Sequence, residues 1–328
     1  MKKVLKIIAI AVAVLLLIPA IGLVVLALKP PDSRPASTEK VEATPERLAR
    51  GAYLVEHVSA CVGCHSERDE GSYAMPIIPG TEGNGGRCYD GSDRVPGQVC
   101  AANLTADPTG LAPWSDGELI RAMREGVGRD GHALFPIMPY GAYRHMSDED
   151  ARAIVAYLRT LAPISRARPA TRLDFPLNLL IKFWPKPVDG PVVAPPTTDR
   201  VAYGRYLVQL AACGDCHSQN GDGGNPIPEL ELAGGSQFPI PAGRVVSSNL
   251  TPDKETGLGE MTRESFIGIF KSYASMDPKT PAAPGRNTVM PWRSYAGMTE
   301  EDLGAIYDYL RTVKPVKNQV NPFPDAKG

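Results

Sequence analysis

Hydrophobic positions divide the chain into one long apolar run and two stretches of short, interrupted amphipathic segments. From Ile7 to Leu28, 22 consecutive residues carry no charge and nearly all are apolar. A helix of that length spans a bilayer core. Beyond it the apolar positions recur at helical spacing behind capping residues. Thr44 with Pro45 behind it opens a helix. Ser115-x-x-Glu118 is a capping box ahead of 119–123. Ser147-x-x-Asp150 opens a helix with Ile154, Val155 and Leu158 on one face, and Thr299, Leu303, Ile306 and Leu310 restate that pattern. No run alternates convincingly with period two, so the expected fold class is all-α, with one N-terminal transmembrane helix.

The two stretches are copies of each other. Gly51-Ala-Tyr-Leu-Val answers Gly204-Arg-Tyr-Leu-Val, Asn103-Leu-Thr-Ala-Asp answers Asn249-Leu-Thr-Pro-Asp, and Met138-Pro-Tyr answers Met290-Pro-Trp. Self-similarity at a period of about 152 residues means a duplicated domain. The expected organisation is an anchor over 1–28, a polar, Pro-bearing flexible tether over 29–44 and a first domain over 45–161. A linker over 162–198, a second domain over 199–316 and a C-terminal tail over 317–328 complete the chain. The linker holds an apolar island, Phe175 to Trp184, too short to span a membrane as a helix. It is expected to pack against both domains and set their separation, with a membrane-surface or partner contact as the alternative.

Each copy contains one C-x-x-C-H pentapeptide, Cys61 to His65 and Cys213 to His217. That signature reads as covalent attachment of a c-type haem. On a helix, positions i and i+3 share a face with i+4 beside them. Two thiols there can bond the haem vinyl groups, and the imidazole can sit under the iron. A zinc site or a redox dithiol explains less, because neither needs two copies with His directly after the second Cys. Cys61, Cys64, Cys213 and Cys216 are therefore read as the attachment sites of two haem c groups, with His65 and His217 as proximal ligands.

The repeat also points to the distal ligands. Met138 and Met290 each lie 73 residues after their histidine, and each precedes a proline. Proline disfavours helix just before itself, which suits a thioether on an extended loop. Met146 and Met298 recur equally well, 81 residues after the histidine, but sit just ahead of helix caps, where an apolar side chain packs onto the next helix. Met138 and Met290 are the expected ligands, and Met146 and Met298 core. His132 and His145 are rivals at the first haem, without counterparts in the second copy; His57 is expected to be structural or surface. Cys88 and Cys100, in a Gly-rich loop found only in the first copy, are expected to form a disulfide. Two free thiols, or a thiolate on iron, are the alternatives.

Charge adds direction. Lys2, Lys3 and Lys6 precede the apolar run, and positive flanks stay cytoplasmic. The domains then lie on the far side of a bacterial inner membrane, in the periplasm. A cleaved signal peptide competes, but its apolar region usually runs about 7–15 residues, and no clear A-x-A site comes after this one. Residues 45–160 carry 11 Lys/Arg against 16 Asp/Glu, and 199–313 carry 10 against 14. Nucleic acid is excluded as a partner by that acidity. An acidic face could steer a basic redox protein, or be a solvated surface only.

From about Pro45 to Lys314 the chain resembles the class I cytochrome c family, above all the membrane-associated cytochrome c subunits of bacterial alcohol and gluconate dehydrogenases. The resemblance is carried by Gly-x-Tyr-Leu-Val before C-x-x-C-H, by Asn-Leu-Thr-x-Asp, by Trp114-Ser115-Asp116 and by Met138-Pro-Tyr with Tyr143. It implies two tandem class I cytochrome c domains, each a small helical fold around one haem, and electron transfer rather than catalysis. The donor would be a dehydrogenase or a quinol-oxidising complex, and the acceptor an oxidase or another cytochrome of the respiratory chain. A dihaem cytochrome c peroxidase is the alternative function, and a fixed subunit of a larger complex shares the carrier's chemistry. The chain departs from the family in having Met261-Thr262-Arg263 where the first copy has Trp-Ser-Asp, and in the loop bearing Cys88 and Cys100.

Overall fold

The computed structural model describes residues 2–93, 95–221 and 227–326. Twelve α-helices are found among them: α1 Lys2–Leu28, α2 Pro45–Tyr53, α3 Cys61–Cys64, α4 Asp116–Glu125, α5 Tyr140–Tyr143, α6 Asp148–Leu158, α7 Leu177–Leu180, α8 Arg200–Leu210, α9 Cys213–His217, α10 Arg263–Lys271, α11 Trp292–Ala296 and α12 Glu300–Leu310. Their starts obey the capping chemistry. The side chains of Thr44, Ser147 and Thr299 each accept from a backbone N–H in the first turn of α2, α6 and α12, and Ser115 with Glu118 closes a full capping box on α4.

The all-α expectation needs correcting to helix-rich with some sheet. A small antiparallel sheet joins β1 (Cys88–Tyr89), β2 (Gly97–Cys100) and β3 (Arg172–Leu173), and a hairpin pairs β4 (Gln237–Ile240) with β5 (Gly243–Val246). Strands of two to four residues are too short for period-two alternation to show. Cys88 and Cys100 are paired across β1 and β2 in a disulfide.

Each lobe is built on one helix crossing, α2 against α6 and α8 against α12. Glycine makes both crossings possible. A Cβ on Gly51 would lie 2.0 Å from the Ala153 carbonyl oxygen, and one on Gly204 would lie 1.9 Å from that of Ala305. Met146 and Met298 are fully buried in the cores these crossings create.

The lobes join through a pseudo-twofold pair of tyrosines. The Tyr53 hydroxyl donates to Asp302 Oδ2 at 2.7 Å and accepts from the Thr299 N–H at 3.1 Å. Tyr206 does the same with Asp150 Oδ2 at 2.7 Å and the Ser147 N–H at 3.0 Å. Each lobe thus completes the start of the other's last helix. His57 bridges as well, with Nδ1 3.1 Å from the Ser294 carbonyl. The symmetry breaks at residues 69–75 of the first lobe, which reach into the second. Tyr73 N–H donates to Thr280 O at 2.8 Å, Asn287 Oδ1 accepts from Ala74 N–H at 2.9 Å, and Tyr73 stacks on Tyr273, which stacks on Trp292.

Tyr53→Phe is expected to destabilise the folded chain by about 1–3 kcal/mol, the cost of stranding a buried acceptor. Tyr206→Phe should cost less, because Asp150 also holds the Arg50 guanidinium, at 2.8 Å to each oxygen. Denaturant melts of the two variants check the ranking.

Two segments differ from expectation. The 29–44 stretch is not a loose tether but is laid along the first lobe. The Glu125 carboxylate is buried and needs partners, which Arg34 supplies through Nε and Nη2 at 3.1 and 2.8 Å, and Val41 N–H donates to Asp116 at 2.9 Å. The apolar island is not packed between the lobes: Ile181 is buried, while Phe175, Leu180, Phe183 and Trp184 are exposed.

Candidate haem centres

The two pentapeptides adopt the same local structure. Ala60 and Ala212, directly before the first cysteine of each, sit in the left-handed region at φ 47° and 50°. That turn breaks the preceding helix and starts a new one, α3 or α9, which brings the two thiols onto one face. Neither alanine stands out in the sequence, because only the three-dimensional kink demands the conformation.

Both imidazoles are oriented alike. His65 Nδ1 donates to the Ala102 carbonyl at 2.7 Å, and His217 Nδ1 donates to that of Ser248 at 2.7 Å. With Nδ1 carrying the proton, Nε2 is left with a free lone pair, as a metal-ligating histidine requires. The repeated Asn-Leu-Thr-x-Asp explains why those carbonyls are in place. Asn103, next to Ala102, accepts from Thr105 N–H and Oγ1, and donates to Ile164 O at 2.8 Å. Asn249, next to Ser248, makes the same set with Thr251 and Val316 O. A motif that looks like ordinary turn chemistry is thus the support of the histidine.

Met138 and Met290 are half-buried and packed against the core. Each precedes a proline and then a short helix, α5 or α11. Tyr143 on α5 donates to Ser59 O at 3.3 Å, and Tyr295 on α11 donates to Ala211 O at 2.9 Å. These tyrosines tie the methionine arm to the residues just ahead of the cysteines. His132 instead pairs with Asp130 on the surface, and His145 lines a cleft with Arg205 and Tyr206.

Electrostatics fit a covalently attached group. Burial pushes the thiols of Cys61, Cys213 and Cys216 up to about 12. Burial also lowers the pKa of His65 and His217, which favours the neutral imidazole. The donor set, two thiols and an oriented imidazole on one turn, fits haem c in both lobes.

Comparison with known proteins shows the family. The cytochrome c family model matches residues 48–162 and 201–314. The chain is similar to the cytochrome c subunit of a quinone-dependent alcohol dehydrogenase from Gluconacetobacter polyoxogenes, 30% identical over 295 residues, covering 86% of this chain and 59% of that protein. It is 29% identical over 294 residues to the gluconate 2-dehydrogenase cytochrome c subunit of Pantoea cypripedii, covering 83% of this chain and 60% of that one. A diheme cytochrome c-type protein of Cereibacter sphaeroides is 28% identical over 297 residues, covering 85% of this chain and 93% of that one. The chain thus spans about six-tenths of the length of the two dehydrogenase subunits.

Proposed function

The chain belongs to the cytochrome c family, and on that premise we propose that it is a membrane-anchored, periplasmic dihaem cytochrome that accepts electrons from a dehydrogenase and hands them to a downstream acceptor. Its two covalently held haem c groups supply one-electron transfer when bound. The protein's part is to hold them. Cys61 and Cys64 fasten the first and Cys213 and Cys216 the second; His65 with Met138, and His217 with Met290, are the proposed axial pairs. Thioether ligation favours ferrous iron and a raised potential. With His65 and Met138, and His217 and Met290, holding the irons, no open coordination site would remain, which suits a carrier rather than a peroxide-using enzyme, and the comparisons lend the peroxidase alternative no support.

The observation that carries the relay reading is the matched pair of oriented imidazoles, His65 on the Ala102 carbonyl and His217 on that of Ser248, in two lobes latched by Tyr53 and Tyr206. Two haem sites in lobes bonded directly to each other would give an electron a path within one chain. Anchoring rests on α1, the helix among the described residues long and apolar enough to cross a bilayer, with Lys2, Lys3 and Lys6 setting its cytoplasmic end. The dehydrogenase donor rests on the relatives' named partners, and a quinol-oxidising complex would use the same chemistry.

Purification from native membranes in mild detergent is expected to bring down a dehydrogenase with the cytochrome, and added substrate should then reduce both haems. Turnover of hydrogen peroxide with a reduced donor, at a rate matching an enzyme's, would overturn the carrier reading.

A further inference from the structure

The apolar island between the lobes has a feature that its sequence does not show: it is tied to the far end of the membrane helix. Lys182 Nζ donates to the Ala27 carbonyl at 2.5 Å and to that of Leu26 at 3.4 Å. The last carbonyls of a helix lack intrahelical partners and carry the negative end of its dipole. The last turn of α1 holds no basic residue of its own, so a lysine from the linker supplies the cation. Lys29 Nζ in turn sits 5.3 Å over the Phe183 ring.

We propose that residues 175–184 form a second membrane contact, lying in the outer headgroup layer beside the exit of α1. This rests on the reading of α1 as a transmembrane anchor and adds to it. Residues 7–28 make a helix of about 33 Å, close to the ~30 Å hydrocarbon core. Ala27 then lies at the core's outer boundary, and Lys182, bonded to it, lies at the same depth. The segment is short and helical in α7 and in the adjoining 3-10 turn Ile181–Phe183. Its inward residue, Ile181, is 4% exposed, whereas Phe175, Leu180, Phe183 and Trp184 are 69%, 45%, 40% and 45% exposed. Aromatic rings with a snorkelling lysine are the composition of a bilayer interface. Lys29 and Lys186 both pair with one carboxylate, Asp32, and Lys182 is bonded to the helix end, so three lysines face one acid and leave excess positive charge for anionic headgroups.

The contact also orients the first lobe. Trp184 meets Phe135 edge to face, with centroids 6.5 Å apart. Phe135 begins the turn into Met138, whose N–H donates to the Phe135 carbonyl at 3.1 Å. The exposed Ile137 lies in the same turn. The membrane therefore seats under the Met138 arm, while the Met290 arm is covered by residues 69–75 of the first lobe.

The test places a photoreactive benzophenone amino acid, one position at a time, at Phe183, Leu15 and Ile269. The full haem-loaded chain is held in vesicles of equal parts phosphatidylethanolamine and phosphatidylglycerol, and lipid adducts are read by mass spectrometry. All three positions are exposed, so the probe is accommodated. Phe183 and Leu15 should give lipid adducts in comparable yield, and Ile269 none. Adducts at Leu15 without any at Phe183, or crosslinks from Phe183 to a second copy of the chain, overturn the surface contact and leave the anchor standing. Absence of adducts at both Leu15 and Phe183 overturns the anchor and this contact together.

Discussion

Met290→Leu is expected to erase about half of the iron–sulfur charge-transfer absorption at the red end of the oxidised spectrum, and Met138→Leu the other half. The two changes together should remove it altogether. Leucine fills a similar volume without a lone pair, so the lobe keeps its packing and loses only the sulfur ligand. The altered haem should fall in reduction potential, by a fraction of the ~0.8 V range that axial ligation spans. The control is sharp because each lobe offers a second methionine in register. Met146 and Met298 are 0% and 1% exposed, enclosed on every side by core, and their replacement by leucine should cost under about 1.5 kcal/mol. The band should survive in Met146→Leu and Met298→Leu. The reverse pattern, with the band lost on changing Met298 and kept on changing Met290, would reassign the ligands.

The second large effect is expected at the helix crossings. Gly51→Val should cost at least the ~3 kcal/mol upper end of overpacking, and Gly204→Val likewise. Even a methyl group at these positions would overlap the Ala153 or Ala305 carbonyl oxygen, at 2.0 and 1.9 Å. These atoms belong to the backbone of α6 and α12, so relief requires the helices to move apart. The crossing orients the segment that ends in the cysteines, so separation should impair haem attachment in the altered lobe first. The haem-to-protein ratio of purified protein, with a thermal melt, reads both effects. Gly268→Ala is the contrast. It lies within α10 with nothing inside 4 Å of the added Cβ, and it should be neutral or stabilising by about 0.5–1 kcal/mol.

Much of the site was legible in the sequence because its chemistry is local. Two cysteines and a histidine within five residues report their purpose without any fold, and duplication doubled the signal. The repeat also separated two pairs of methionines by the next residue along the chain, and Met138 and Met290 stand as the proposed ligands. Met138 and Met290 run into a proline, and Met146 and Met298 run into a helix cap. The helix starts at Pro45, Asp116, Asp148 and Glu300 were readable for the same reason, a cap and its N–H being only a few residues apart.

The parts the sequence concealed depend on distant residues meeting. Ala60 and Ala212 look ordinary, because their left-handed turns are imposed by the packing of the helices on either side. Ala102 and Ser248 act through carbonyls that every residue possesses, so composition cannot mark them. Strands such as β1 and β3 are too short to show a period, and β3 comes from the linker. The island's composition was apolar in either reading; only the placement of Lys182 against Ala27, 155 residues earlier, turned it from an interdomain spacer into a surface facing outward.

By itself the sequence determined the cofactor chemistry, the duplication and the long apolar helix, since each is written within a few consecutive residues or as a repeat. Tertiary structure alone decided how the lobes face each other. Tyr53 reaching Asp302 and Tyr206 reaching Asp150 are hydrogen bonds across the pseudo-twofold, and a hydrogen bond between residues 249 and 56 positions apart exists only once the chain has folded.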